Sequence, residues 1–419
     1  MNVRVRAEAF SGVIEAAPSK SFLHRALICA ALADKPTAIA CKAVCEDVEA
    51  TADCLRAFGA EITFRDGMFT VFPITKKESA VLHCKESGST LRFLVPVAAS
   101  LGVKAEFFVG DGLAKRPIAP LCKALAAHGV RLSGERFPLT VEGRLQAGAF
   151  TLPGDMSSQF FSGLLLALPL ADAPSVVCAD GKLESEPYVD MTLEMLDRFG
   201  VSIRKSGGKT EVLPSAYRSP GFIGAHGDWS GAAFWLAAGV MGGCVSVKGL
   251  RQESLQGDKA IVEVLQSMGG AVDRQGETLI AKRSALHGID FDASQNPDLV
   301  PVLAVTAAFA DGVTHITGAS RLKYKESDRL RSVCALILSL GGDCKQETDG
   351  LTIVGKPVLQ GGAVDSFGDH RIAMSAAIAS CRCREPVVLS GAECIRKSYP
   401  GFWEDFEQTG GSVCSLSEK

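Results

Sequence analysis

Leu55-Arg56-Ala57-Phe58-Gly59 closes a helical pattern on a glycine and runs straight into a strand. The same ending recurs at Leu125-Ala126-Ala127-His128-Gly129, Leu196-Asp197-Arg198-Phe199-Gly200, Leu265-Gln266-Ser267-Met268-Gly269, Leu338-Ser339-Leu340-Gly341 and Phe406-Glu407-Gln408-Thr409-Gly410. Successive glycines lie 70, 71, 69, 72 and 69 residues apart. A residue just past a helix end often turns left-handed, a conformation that costs glycine little. Six helix ends at one period therefore describe six copies of one structural unit.

A second mark keeps the same period. Ser21, Ser89, Ser157, Ser230, Asp298 and Asp369 each stand where a polar turn meets a long Ala/Leu-rich helix. Ser and Asp at such positions are read as caps of the first-turn N–H groups. Each copy reads as strand, capped helix, strand, second helix ending at Gly, then strands. The expectation is an α/β protein of two lobes with three repeats in each. Helix N-termini favour anions, so starts that converge would form a phosphate or carboxylate site. Ser230 is read as a cap alone.

Bulk properties narrow the function. A chain of 419 residues suits two lobes of about 200 residues each. With 47% hydrophobic and 22% charged residues it can bury a large core, and whole-chain disorder is excluded. A net charge of −3 gives no global basic field, so no nucleic-acid partner is expected. The start Met1-Asn2-Val3-Arg4-Val5-Arg6 reads as a short alternating strand without a signal-peptide core, which points to the cytoplasm. The uncharged stretch Trp229–Val247 approaches membrane-spanning length, but Gly242-Gly243 divides it into a helix and a strand. The fourteen cysteines are scattered, without a Cys-x-x-Cys pair, and read as reduced packing residues; no metal is expected.

Charged groups gather at the helix starts. Lys20, Ser21 and Arg25 share one face of the first helix, as an anion site or as a solvated basic end. Arg116 precedes Pro117, read as the opening of a helix, and alone would pass for a surface arginine. Asp155-Met156-Ser157-Ser158-Gln159 sets several hydrogen-bonding side chains ahead of a very apolar helix. Lys325-Glu326-Ser327-Asp328-Arg329 is either an exposed salt-bridged helix start or a carboxylate placed between cations beside bound phosphate. Asp369-His370-Arg371 opens another helix, with His370 a secondary candidate, and Arg396-Lys397-Ser398-Tyr399-Pro400 is read as beginning the last helix.

Together with Ser87-Gly88-Ser89-Thr90-Leu91-Arg92, Ser185 with Pro187-Tyr188, Gln256-Gly257-Asp258 and Pro297-Asp298, these motifs resemble the 5-enolpyruvylshikimate-3-phosphate (EPSP) synthase family. The resemblance runs in order over nearly the whole chain. It implies a two-lobed inverse α/β barrel (EPT/RTPC-like) of six βαβαββ repeats, three per lobe. It also implies that the first strand joins the C-terminal lobe, giving an N-terminal lobe of 18–226 and a C-terminal lobe of 1–17 plus 227–419.

The resemblance further implies transfer of the enolpyruvyl group of phosphoenolpyruvate to the 5-hydroxyl of shikimate 3-phosphate. The family route is addition then elimination with release of phosphate, without metal or cofactor, in a cytoplasmic monomer. Carried over by motif, shikimate 3-phosphate meets Lys20, Ser21, Arg25, Ser157, Ser158, Gln159, Ser185, Tyr188, Asp298 and Lys325. Phosphoenolpyruvate meets Lys20, Gly88, Arg116, Gln159, Arg329, Arg371 and Lys397. Asp298 is implied as base, Glu326 as acid, and Lys20 as an aid to either transfer. Lobe closure would expel water around them. Retention of Gly88 implies sensitivity to glyphosate, a phosphoenolpyruvate-site inhibitor of the family.

The chain departs from the family pattern in places. Ala17-Pro18 stands for Pro-Gly and stiffens that connection. Glu86 replaces a frequent Asn and adds negative charge. Arg321 stands for Asn, Glu186 for Lys, and Phe93 for Pro, which would shift the first turn of its helix. Two rival assignments make different demands on the sequence. The sister enzyme acting on UDP-N-acetylglucosamine typically has a Cys shortly before the Arg-Pro pair, and Asp111 to Lys115 contain none. A non-catalytic six-repeat anion binder would have lost one of Lys20, Asp298, Glu326 or Lys397, and all are present.

Overall fold

Two kinds of helix alternate along the chain. The first helix of a repeat is apolar all round, as in Trp229–Gly242, which is buried at every position. The second carries one apolar face, as in Glu46–Phe58, whose Val48, Leu55 and Phe58 are buried while acidic residues fill its first turn. A helix without a polar face has to be surrounded by protein. In the computed structural model, which describes residues 1–75 and 77–416, Trp229–Gly242, Val300–Ala307 and His370–Ala379 pack on one another. Strands such as Ser79–His83, with Ala80 and Leu82 buried and Val81 exposed, pack on helices of the second kind, here Glu46–Phe58, with one face in solvent.

All six repeat glycines have positive φ: 107° at Gly59, 86° at Gly129, 72° at Gly200, 86° at Gly269, 82° at Gly341 and 103° at Gly410. Among the described residues the strands form six four-stranded sheets. In the repeat starting at Ser79, strand Ser79–His83 pairs parallel with Lys104–Phe108, which pairs antiparallel with Leu139–Glu142, and Arg131–Leu132 closes the edge. The order strand–helix–strand–helix–strand–strand is the expected βαβαββ unit.

The chain divides into Pro18–Ala225 and a unit made of Met1–Ala17 with His226–Lys419, each with its own apolar core. The second division falls one residue earlier than the sequence reading put it. Ala225 N still bonds Ala40 O of the first unit, whereas Gly227 N bonds Gly249 O of the other. The discontinuity has a strand-level cause. Phe10–Glu15 pairs parallel with Gly243–Lys248, and Phe222–Gly224 pairs parallel with Thr37–Ala40. Among the described residues no helix is long and apolar enough to cross a membrane.

The second sequence mark needs correction at four of its six positions. The caps are Ser19, Ser87 and Asp228 rather than Ser21, Ser89 and Ser230, and Asp298 lies inside the short turn Pro297–Leu299. Ser157 and Asp369 do cap their helices. Capping requires extended backbone immediately before the helix, and Ser19, Ser87 and Asp228 have it. Two other helix starts also move. The helix after Arg116 begins at Ala119, with Pro120 rather than Pro117 in its first turn. Lys397 ends the turn Ala392–Lys397, and the last helix is Phe402–Gln408.

Candidate active site

In the unit containing both chain termini, one guanidinium organises the charged residues. Arg329, the first residue of helix Arg329–Ser339, is 1% exposed. Its Nε donates to Asp369 Oδ2 at 2.7 Å and its Nη2 to Asp369 Oδ1 at 3.3 Å. Nη2 also reaches Glu326 Oε2 at 2.8 Å, and Nη1 reaches Asp298 Oδ1 at 2.7 Å. Around this hub Lys325 Nζ lies 3.3 Å from Asp298 Oδ1, Arg371 Nη2 lies 3.2 Å from Asp298 Oδ2, and Lys397 Nζ lies 3.3 Å from Glu326 Oε1. Asp328 caps the helix, accepting from Arg331 N at 3.3 Å. The salt-bridged surface alternative for this segment fails, because Arg329 is buried and Asp298 and Glu326 are largely so.

These neighbours set the charges. Burial alone would raise Asp298, but Arg371, Lys325 and Arg329 outweigh it and hold the carboxyl well below the usual carboxylate range. Burial pushes the Lys325 ammonium down to about 8, with Asp298 opposing the shift. His370 is buried, its Nδ1 3.8 Å from Asp369 Oδ1.

Beside this cluster lies a second group of carboxylates. Asp228 caps its helix through Gly231 N at 3.3 Å and accepts from Gln256 Nε2 at 2.6 Å. Ser230 has a different role from the cap expected of it: its hydroxyl donates to the buried Asp258. Burial, reinforced by the charge of Asp298, pushes Asp258 up to about 6.

In the Pro18–Ala225 unit three helix starts carry the polar side chains. Lys20 Nζ pairs with Asp47 Oδ2 at 2.9 Å. Arg25 is buried and fully directed: Nε donates to Thr192 Oγ1, Nη1 to Ser21 O and Nη2 to Tyr188 O, each at 2.7 Å. Burial lowers Arg25 to about 10, so it remains charged at neutral pH. Ser185, with φ of 53°, opens the helix Glu186–Arg198 that brings Tyr188 and Thr192 to Arg25.

Gln159 is held by a close helix crossing. Ser157 and Ser158 begin the helix Ser158–Ala167, and Gly163 lies one turn beyond Gln159 on the same face. A Cβ on Gly163 would lie 2.2 Å from Arg92 O, so only glycine permits this approach to the helix Gly88–Leu101. Across it Arg92 Nη1 donates to Gln159 Oε1 at 2.7 Å, and Gln159 Nε2 donates to Ser89 Oγ at 2.9 Å. Gly88 faces two guanidiniums: an added Cβ would lie 3.0 Å from Arg92 Nη1 and 3.1 Å from Arg116 Nη1.

The structure thus brings Arg25 together with Ser21 and Tyr188, Gly88 with Arg116, and Asp298, Glu326, Lys325, Arg329, Arg371 and Lys397 with one another. Sequence reasoning missed Asp47, Thr192, and the hold of Asp369 on Arg329; Arg92 stood in a quoted motif but without a role. The departures also find places. Arg321 Nη2 donates to Ser294 O at 2.6 Å, Glu186 pairs with Lys205 at 2.6 Å, and Phe93 lies under Arg25 without disturbing its helix. Among the described residues no cluster of His, Cys, Asp and Glu could hold a metal ion.

Comparison with known proteins bears on this arrangement. The family model for EPSP synthase (3-phosphoshikimate 1-carboxyvinyltransferase) matches residues 6–406. The 3-phosphoshikimate 1-carboxyvinyltransferase of Clostridium acetobutylicum is 42% identical, and that of Clostridium kluyveri 40%, each alignment covering 98% of both chains. Among solved structures, an EPSP synthase of Acinetobacter baumannii superposes with a TM-score of 0.81 at 26% identity, covering 99% of this chain and 100% of that one.

Proposed function

The chain belongs to the EPSP synthase family, and we propose that the residues of these charged clusters carry the family's reaction. That reaction transfers the enolpyruvyl group of phosphoenolpyruvate to the 5-hydroxyl of shikimate 3-phosphate, releasing phosphate, in the shikimate pathway. The observation that carries the assignment is the sharing of the Arg329 guanidinium by Asp298, Glu326 and Asp369.

The residues assigned to shikimate 3-phosphate are Lys20, Ser21, Arg25, Ser157, Ser158, Gln159, Ser185, Tyr188, Asp298 and Lys325. Those assigned to phosphoenolpyruvate are Lys20, Gly88, Arg116, Gln159, Arg329, Arg371 and Lys397. The chemistry suits the ligands. Guanidinium forks match carboxylate and phosphate oxygens, and ammonium groups act as point charges.

In the addition step Asp298 takes the proton of the 5-hydroxyl as its oxygen bonds to C2 of phosphoenolpyruvate. Glu326 gives a proton to the methylene carbon, which becomes a methyl group. In the elimination the carboxylate of Glu326 takes back a methyl proton, the double bond re-forms and the C–O bond to phosphate breaks, with Lys20 balancing the departing charge. A carboxylate held well below its ordinary range is a weak base. Bound phosphates would draw on Arg371 and Lys325 and add negative charge nearby, and both effects raise Asp298.

The proposal includes a cytoplasmic monomer acting on small molecules, and sedimentation would test the oligomeric state. Phosphate release from phosphoenolpyruvate tests the assignment directly. Shikimate 3-phosphate should support turnover and UDP-N-acetylglucosamine should not. Asp298→Ala and Glu326→Ala should each reduce turnover by about 10²–10⁴-fold. Parental turnover in either variant would refute that residue's role.

A further inference from the structure

Glu86 lies two residues before Gly88, in the turn joining strand Ser79–His83 to helix Gly88–Leu101. The negative charge it adds is engaged by backbone. Oε1 accepts from Gly112 N at 3.0 Å, and Oε2 accepts from Leu113 N at 2.8 Å. The next links lead to Arg116, whose N donates to Leu113 O at 3.0 Å. The glycines of this loop make the approach possible. A Cβ on Gly110 would lie 2.2 Å from Glu86 Oε1, and one on Gly112 would lie 2.8 Å from Oε2. The carboxylate fills the space that side chains would take.

On the far side of Arg116 the loop is held again, by Arg92 Nη2 donating to Pro117 O at 3.0 Å. Arg116 is therefore bracketed: residues 112 and 113 are tied to Glu86, and residue 117 is tied to Arg92. Both ties start from the segment that supplies Gly88, against which the Arg116 guanidinium rests. A carboxylate accepting two backbone N–H groups makes strong, directional bonds. We propose that Glu86 is a positioning residue for phosphoenolpyruvate binding, a clamp that fixes the Arg116 loop so that the guanidinium stands over Gly88. The inference rests on the assignment of Arg116 as a phosphoenolpyruvate ligand.

The test is steady-state kinetics of Glu86→Ala, Glu86→Gln, Arg116→Ala and the double variant Glu86→Ala/Arg116→Ala. Glu86→Ala should raise KM for phosphoenolpyruvate about tenfold, the effect of losing charge-assisted bonds. Its kcat and its KM for shikimate 3-phosphate should stay within about twofold of the parent. Glu86→Gln, which keeps one acceptor oxygen, should fall between. The double variant should be no worse than Arg116→Ala, because the clamp acts through Arg116.

A raised phosphoenolpyruvate KM in Arg116→Ala with a parental one in Glu86→Ala overturns the clamp alone. Multiplicative effects in the double variant do the same. A parental KM in Arg116→Ala overturns the Arg116 assignment and the clamp with it. If Glu86→Ala does not fold, amide exchange of Glu86→Gln decides: faster exchange at Gly112 and Leu113 with a raised KM for phosphoenolpyruvate supports the clamp, and a parental KM overturns it.

Discussion

Asp369 grips Arg329 with both carboxylate oxygens, at 2.7 Å from Nε and 3.3 Å from Nη2, and the two side chains are 0% and 1% exposed. The same carboxylate caps helix His370–Ala379 through Arg371 N at 3.0 Å. One aspartate thus holds two of the three arginines assigned to phosphoenolpyruvate, Arg329 by its side chain and Arg371 by its backbone. Asp369→Ala leaves the Arg329 charge buried with one partner fewer. The expected loss of stability is about 3–5 kcal/mol, measured by urea unfolding. Asp369→Asn retains the cap and some hydrogen bonding, so it should unfold later than the alanine variant while still raising KM for phosphoenolpyruvate. Equal stability of the two variants would show that the cap and the neutral hydrogen bonds contribute little here.

The pH dependence follows from Lys325. Its burial-lowered value of about 8 leaves it charged at neutral pH, and it loses the proton as pH rises through that value. An ammonium that meets a phosphate must be protonated, so kcat/KM for shikimate 3-phosphate should fall on the alkaline side of about 8. In the bound complex the phosphate dianion stabilises the ammonium, so the corresponding limb in kcat should lie higher. Lys325→Arg keeps its charge throughout and should lose this alkaline limb. A limb that survives unchanged in Lys325→Arg would assign it to another group.

Gly88 is placed so that size alone changes binding. In Gly88→Ala the new methyl would meet Arg92 Nη1 at 3.0 Å and Arg116 Nη1 at 3.1 Å, and these flexible ends must move. KM for phosphoenolpyruvate should rise about tenfold while KM for shikimate 3-phosphate changes little. The parent should be inhibited by glyphosate at micromolar concentrations and Gly88→Ala more weakly. A millimolar inhibition constant for the parent would count against the assignment of this site.

The repeats were legible because they rest on local chemistry: a glycine past each helix end adopts positive φ, and all six do. Cap positions were less legible. Ser and Asp suit both the cap and the first turn, so the pattern points to Ser21 where Ser19 performs the task. The cations of the site stood out as motifs, but their holders did not. Asp47 reaches Lys20 across 27 residues, Asp369 reaches Arg329 across 40, and Thr192 reaches Arg25 across 167. Contacts of that range leave no periodic trace, and Asp47 looks like any acidic residue in a helix's first turn. Ser230 shows the opposite error: a plausible cap whose hydroxyl instead bonds Asp258.

Phe93 supports Arg25 from below, with the guanidinium carbon 5.1 Å from the ring centroid and the edge-on His24 ring at 6.4 Å. The expected shift of the first helical turn does not occur, since Gly88–Leu101 is continuous through Phe93. The ring provides a negative face that a cation recognises, worth about 0.5–2 kcal/mol when desolvated. Truncation to Ala would confuse this effect with a core cavity costing about 3–5 kcal/mol. Phe93→Leu keeps most of the apolar volume and removes only the π face, so it is the diagnostic change. KM for shikimate 3-phosphate should rise about threefold to tenfold, with KM for phosphoenolpyruvate little changed. A parental KM for shikimate 3-phosphate accompanied by lowered stability would reduce Phe93 to packing, and the hold on Arg25 would then rest on Thr192, Ser162 and the carbonyls of Ser21 and Tyr188.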